Sequence, residues 1–108
     1  MKAFIAVKEN KGMGSEIDSR FGRANFFMIY DMDDEKILSV EENQFKNEGH
    51  GVGIKTAGIA VEYGCDLAIG AQPGPKAEKV FNEGNIKIFI MTEGNVDEAV
   101  RKYKGMQD

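Results

Sequence analysis

The sequence has a single cysteine, a single histidine, two prolines and no apolar run of membrane-spanning length. One cysteine excludes an internal disulfide and, within one chain, any multi-cysteine metal site. With no such run, and no basic-then-apolar stretch at its start, the chain is expected to be soluble and cytoplasmic, without a membrane partner. An excess of positive charge is also missing. The 14 Lys and Arg are outnumbered by 18 Asp and Glu, the formal net charge is −4, and the basic residues are scattered singly. A general nucleic-acid binder needs a basic face to displace counterions from phosphates, so no nucleic-acid partner is expected.

Glycine, by contrast, is plentiful. Thirteen residues in 108 point to many tight connections between regular elements. The length leaves room for one core and not two, so residues 1–108 read as a single domain. An apolar share of 42% and a charged share of 30% are an ordinary globular balance.

Lys2–Val7 is a short apolar run with β-branched and aromatic content, a buried first strand. Residues 8–23 have neither helical nor strand period and read as a long loop. Asn25–Met32 and Lys36–Glu42 are strands joined by the polar turn Asp33-Asp34-Glu35, hence a hairpin. A second irregular segment, 43–53, carries Gly49, Gly51 and Gly53 around His50. The spacing of Ile54, Ala57, Gly58 and Val61 predicts a helix over 52–63 with those residues inward, ended by Gly64. Asp66–Gly70 is a fourth strand. The turn at 71–75 leads into a helix through Asn82 with Ala77, Val80 and Phe81 inward, and Ile86–Met91 is the fifth strand. Asn95, with Glu98 three residues on, resembles a capping box opening a last helix whose buried stripe is Val96, Ala99, Val100 and Tyr103.

The order β-β-β-α-β-α-β-α, with right-handed crossovers in its second half, assembles into a five-stranded mixed sheet with helices on its faces. Following the chain up and down this sheet places segments 8–24, 43–53, 71–75 and 92–95 on one rim, outside the carboxyl ends of the parallel strands. Open α/β sheets bind ligands there. Arg20, Arg23, His50 and Lys76 are expected on that rim, and Cys65 at the opposite edge.

Several motifs now combine. Ser19-Arg20-Phe21-Gly22-Arg23-Ala24 enters the second strand at Phe26, Gly49-His50-Gly51-Val52-Gly53 precedes the first helix, Gly74-Pro75 precedes a helix containing Ala77, and Gly94-Asn95-Val96-Asp97-Glu98-Ala99 opens the last. In this order and over about residues 1–104, the chain resembles the dinitrogenase iron–molybdenum cofactor biosynthesis family, the NifX/NafY-type domain. The resemblance implies a three-layer α/β/α, ribonuclease-H-like fold with strand order 3-2-1-4-5 and the second strand antiparallel. It also implies a metal–sulfur cluster as cargo, of iron–sulfur or molybdenum- and iron-containing type, and a client or scaffold protein as partner to a monomer or weak homodimer. Relatives that carry nitrogenase cofactor commonly have a histidine directly before the Phe-Gly pair, where this chain has Arg20.

The site expected from residues and resemblance together is Arg20, Phe21, Gly22, Arg23, Gly49, His50, Gly51 and Gly74, with His50 as the metal ligand. Neutral imidazole suits iron, copper or zinc, and glycine neighbours let it approach a bulky cluster; the alternative is an exposed loop histidine without a task. Arg20 and Arg23 either recognise an anion or, in the case of Arg23, pair with a carboxylate that fixes the loop. Phe21 and Phe26 read as core plugs, and Cys65 as a small buried hydrophobe. Met13 and Met91 could reach the rim as thioether ligands, with core filling as their default. The helix start after Gln72-Pro73-Gly74-Pro75-Lys76 attracts anions, although its two prolines remove two amide donors. Neither glycine cluster satisfies G-x-G-x-x-G, which argues against a dinucleotide site.

The expected function is that of a small carrier or accessory protein that binds a metal–sulfur cofactor for delivery or insertion, and not an enzyme. Two-metal nuclease chemistry needs several facing carboxylates, and Lys2–Val7 offers none. No Ser/His/Asp or Cys/His arrangement is evident. The competing reading is a non-catalytic regulatory or interaction module that binds a small anion or a partner protein at the same rim.

Overall fold

The computed structural model describes residues 1–106. Strands β1 (Lys2–Val7), β2 (Phe26–Asp31), β3 (Lys36–Glu42), β4 (Leu67–Gly70) and β5 (Lys87–Ile90) form one sheet in the order β3-β2-β1-β4-β5. β2 is antiparallel to both β1 and β3, while β1, β4 and β5 run parallel. Both order and directions are as expected.

Alternation along β1 explains why it is central. Phe4 and Ala6 point to one face, where they join Phe27 and Ile29 of β2, Ala68 of β4, and the helices α1 (Val52–Glu62) and α2 (Pro75–Glu83). Ala3, Ile5 and Val7 point to the other, where Met28, Tyr30, Leu67 and Ile69 meet α3 (Val96–Met106). A strand apolar on both faces has to be covered twice, and the three layers follow from that. α3 buries the expected stripe of Val96, Ala99, Val100 and Tyr103. Its start is a closed capping box: Glu98 N donates to Asn95 Oδ1 at 2.9 Å, and Asn95 N to Glu98 Oε1 at 3.3 Å.

The inward face of α1 differs from expectation. Val52, Thr56, Ala57 and Ala60 are buried, while Ile54 and Val61 are 42% and 45% exposed. The bulk on this face comes from elsewhere: Phe4, Phe27, Phe21 and Phe81 form a chain of ring contacts. Small residues on α1 leave room for those rings and let it approach α2 so closely that a Cβ at Gly53 would lie 3.3 Å from the Ala77 Cβ.

Segment 8–23 is likewise more ordered than a loop without period. It contains a 3-10 turn at Gly12–Gly14, and Ile17 forms a bridge to Val7 and is 1% exposed. Ser15 Oγ accepts the Lys11 amide at 2.8 Å. One apolar residue among polar ones carries no period, yet it anchors the segment.

Candidate functional site

At the carboxyl ends of the parallel strands, Phe21-Gly22-Arg23, Gly49, Gly51-Val52-Gly53, Gln72 and Gly74 enclose a recess of about 320 Å³. A second recess, about 430 Å³, adjoins it across Gly51, Val52, Gly53 and Gly74 and is lined by His50, Ile54, Pro75, Lys76 and Ala77 as well. Six of the eight expected residues, Phe21, Gly22, Arg23, Gly49, Gly51 and Gly74, thus line the first, and His50 the second. Arg20 lines neither.

The electrostatics of these recesses come from backbone and cations. α1 begins after Gly51, whose φ of 72° is the left-handed conformation that favours glycine, and no side chain caps it. α2 begins after Gly74, also without a side-chain cap. First-turn amides have no intrahelical acceptor, and together with the dipole they make each start a partial positive charge. Pro75 has no amide, so α1 offers more donors than α2. Arg23, His50 and Lys76 add cationic or basic side chains, and no carboxylate among the described residues lines either recess. The arrangement suits a polyatomic anion.

Gly22 holds the recess in shape. A Cβ there would come within 3.2 Å of the Gly53 amide nitrogen and 3.3 Å of its Cα. Glycine lets the 21–24 loop lie against the first turn of α1 without displacing it. The Gly22 carbonyl accepts Asn43 Nδ2 at 2.9 Å and Thr56 Oγ1 at 3.4 Å, and Asn43 Nδ2 also reaches the Ala24 carbonyl at 2.8 Å. Asn43 is 3% exposed, and its Oδ1 accepts the Phe45 amide at 2.9 Å, an Asx turn that sets the direction of the next segment.

The two arginines are held differently. Arg20, not Arg23, makes the carboxylate pair. Asp18, 1% exposed, accepts the Arg20 amide at 2.9 Å and its Nε at 3.2 Å on Oδ1. Its Oδ2 accepts Arg20 Nη2 and the Asn25 amide, both at 3.2 Å. Burial pushes this carboxyl up, but the guanidinium and the two amides outweigh it and hold it below the usual carboxylate range. Arg23 has no carboxylate partner among the described residues and donates from Nη1 to the Lys46 carbonyl at 2.8 Å. Asp18 and Asn43 are the positioning residues that sequence reasoning missed; the available signals were an acid two residues before Arg20 and an Asn closing β3.

Other expectations are placed plainly. Phe21 is a core plug, 6% exposed and edge-on to Phe81 with ring centroids 5.4 Å apart. Met13, Met91 and Phe26 pack as partly buried residues on the α3 side. Cys65 lies in the core at the far end of β4 from the rim, and burial pushes its thiol up to about 11. Segment 92–95 is on the rim but closes on 15–17 instead of on the recess, through a Glu16–Asn95 bridge and an Ile17 amide bond to the Gly94 carbonyl at 2.9 Å. The four irregular segments therefore share a rim without sharing one site. No group of three or more His, Cys, Asp or Glu side chains able to hold a metal ion occurs among the described residues. None of the described helices is long and apolar enough to cross a membrane.

Fold and recess together define a class: small three-layer α/β domains with a glycine-rich loop rim at the ends of their parallel strands. Residues 1–106 match the dinitrogenase iron-molybdenum cofactor family, and the chain belongs to it. An uncharacterised protein of Methanocaldococcus jannaschii is 29% identical over 105 residues, 95% of this chain and 85% of that protein. Among solved structures, the apo form of the orange protein from Desulfovibrio gigas superposes with a TM-score of 0.89 at 26% identity, covering 98% of this chain and 88% of the other. A Thermotoga protein described as a candidate NifB superposes with a TM-score of 0.80 at 26% identity, covering 96% and 87%.

Proposed function

We propose that this chain, acting as a single domain, is a non-catalytic carrier that holds a preformed metal–sulfur cofactor in the rim recess and passes it to a client or scaffold protein. The observation that carries the reading is the recess itself. Two uncapped helix starts border two adjoining recesses, Arg23 lining one and His50 the other, and no carboxylate among the described residues lines either. Membership of the iron–molybdenum cofactor family supports a metal–sulfur anion as the occupant.

The cargo has to bring most of its own ligands. The only thiol is buried at the far edge, and His50 is the one imidazole. Backbone amides and Arg23 hold negative charge without coordinating metal, while His50 supplies a single exchangeable ligand. Binding of this kind is reversible, as delivery requires. Arg20 serves indirectly, by fixing the loop through Asp18. The test is anaerobic isolation of the protein followed by metal and acid-labile sulfide analysis. The carrier reading expects iron or molybdenum together with sulfide. A colourless, metal-free protein that binds a small anion or a partner protein at the rim would favour the interaction module instead.

A further inference from the structure

Between β3 and α1 the chain runs as a strap, residues 44–50, fixed at one end and free to turn at the other. Its root is Asn43, buried and bonded through its side chain to the Gly22 and Ala24 carbonyls, with its amide on the Asn25 carbonyl at 2.9 Å. Its far end is Gly51, exposed and left-handed at φ 72°, a natural hinge. Within the strap the Glu48 amide bonds to the Phe45 carbonyl at 3.0 Å, so its middle moves as a small unit.

Two exposed cations tie that middle down. Lys55, on the first turns of α1, pairs with the Glu48 carboxylate and sits 5.1 Å over the Phe45 ring. Arg23 holds the Lys46 carbonyl. Exposed ion pairs and cation–ring contacts hold weakly and are screened by salt, so this latch is easily released. The strap also walls the site: Gly49 and Gly51 line one recess, and His50 and Gly51 the other. A swing about Asn43 and Gly51 widens both together, and Arg23 belongs to latch and lining alike.

We propose that residues 44–50 are a hinged gate on the rim recess, latched by Lys55, that sets how fast cargo is taken up and released. The proposal rests on the carrier reading, so its test has one arm without cargo. Hydrogen exchange of the Phe45 and Glu48 amides is followed in the apo protein for wild type, Lys55→Met and Glu48→Gln. Lys55→Met keeps an apolar stem over Phe45 and removes the charge. Both variants are expected to exchange these amides about two- to fivefold faster, as the loss of one exposed pair allows. The amides of β1 and β4 should be unchanged, and added salt should bring wild type to the level of the variants. Unchanged strap exchange, or acceleration spread equally through the strands, would overturn the gate. In the second arm, release of bound tetrathiomolybdate is timed and should quicken by a similar factor in both variants. Faster strap exchange with unaltered release would also overturn it. A wild-type protein that takes up no tetrathiomolybdate contradicts the carrier reading, while the exchange arm still decides whether the strap is latched by Lys55.

Discussion

Asp18 and Arg20 illustrate how one buried carboxylate can organise a whole loop. The carboxylate accepts four hydrogen bonds and so holds residues 18–25 in a single course. Its folded-state pKa is depressed, so its stabilising contribution is present above its unfolded value and is lost as pH falls through the folded value. An acid titration should therefore show stability declining below about pH 4, with a shallower decline in Asp18→Asn. Arg20→Ala should cost about 1–2 kcal/mol, the loss of charge-assisted bonds to a buried acid by a half-exposed partner. An acid limb identical in Asp18→Asn and wild type would remove Asp18 from this role. Cys65 is the opposite kind of residue, inert because it is buried. A thiol at about 11 instead of 9.0 holds roughly 100-fold less thiolate at neutral pH, so alkylation by iodoacetamide should be far slower in the folded than in the unfolded protein. Cys65→Ala should cost about 1–2 kcal/mol in a denaturant melt and leave cargo content unaltered.

At the level of elements, two glycines of the expected site separate cleanly. A Cβ at Gly22 would press on the Gly53 backbone at 3.2–3.3 Å, tight enough that backbone must shift by a few tenths of an ångström, whereas one at Gly49 meets nothing within 4 Å. Gly22→Ala should lower stability by about 1–3 kcal/mol and weaken cargo binding, while Gly49→Ala should leave stability unchanged. Equal melting midpoints for the two variants would contradict the packing described for the rim. The strands were legible as short apolar runs between polar or glycine-bearing turns, and α3 from its 3.6-period stripe and a cap that lies nearby in sequence, at Asn95 and Glu98. The face of α1 was not legible. Periodicity weights large residues, and here Ile54 and Val61 face outward because aromatic rings from β1, β2 and the 21–24 loop claim the interior. Asn43 escaped notice for a different reason. It acts on backbone carbonyls 19 and 21 residues away, and carbonyls leave no mark in a sequence.

For the whole molecule, strand order and direction were enough to bring 21–23, 49–53 and 72–74 to one place, because short connections and right-handed crossovers leave few alternatives. What topology could not divide was the rim itself: the α3 side takes 92–95 into contact with 15–17, and the α1/α2 side keeps the recess. The result is a chain of net charge −4 that sets two helix starts beside two adjoining recesses, with Arg23 lining one and His50 the other, and buries its thiol far from them. The carrier proposal expects a protein so arranged to hold an anionic cluster by charge and shape and to let it go again. The most direct measurement is an anaerobic titration of apo protein with tetrathiomolybdate, a soluble molybdenum–sulfur anion, in wild type, Arg23→Ala and His50→Ala. Saturable binding is expected in wild type, weakened about tenfold or more by Arg23→Ala and by rising salt, and loosened by His50→Ala, with all three proteins folded. Affinity unchanged in both variants would contradict the carrier account at its centre.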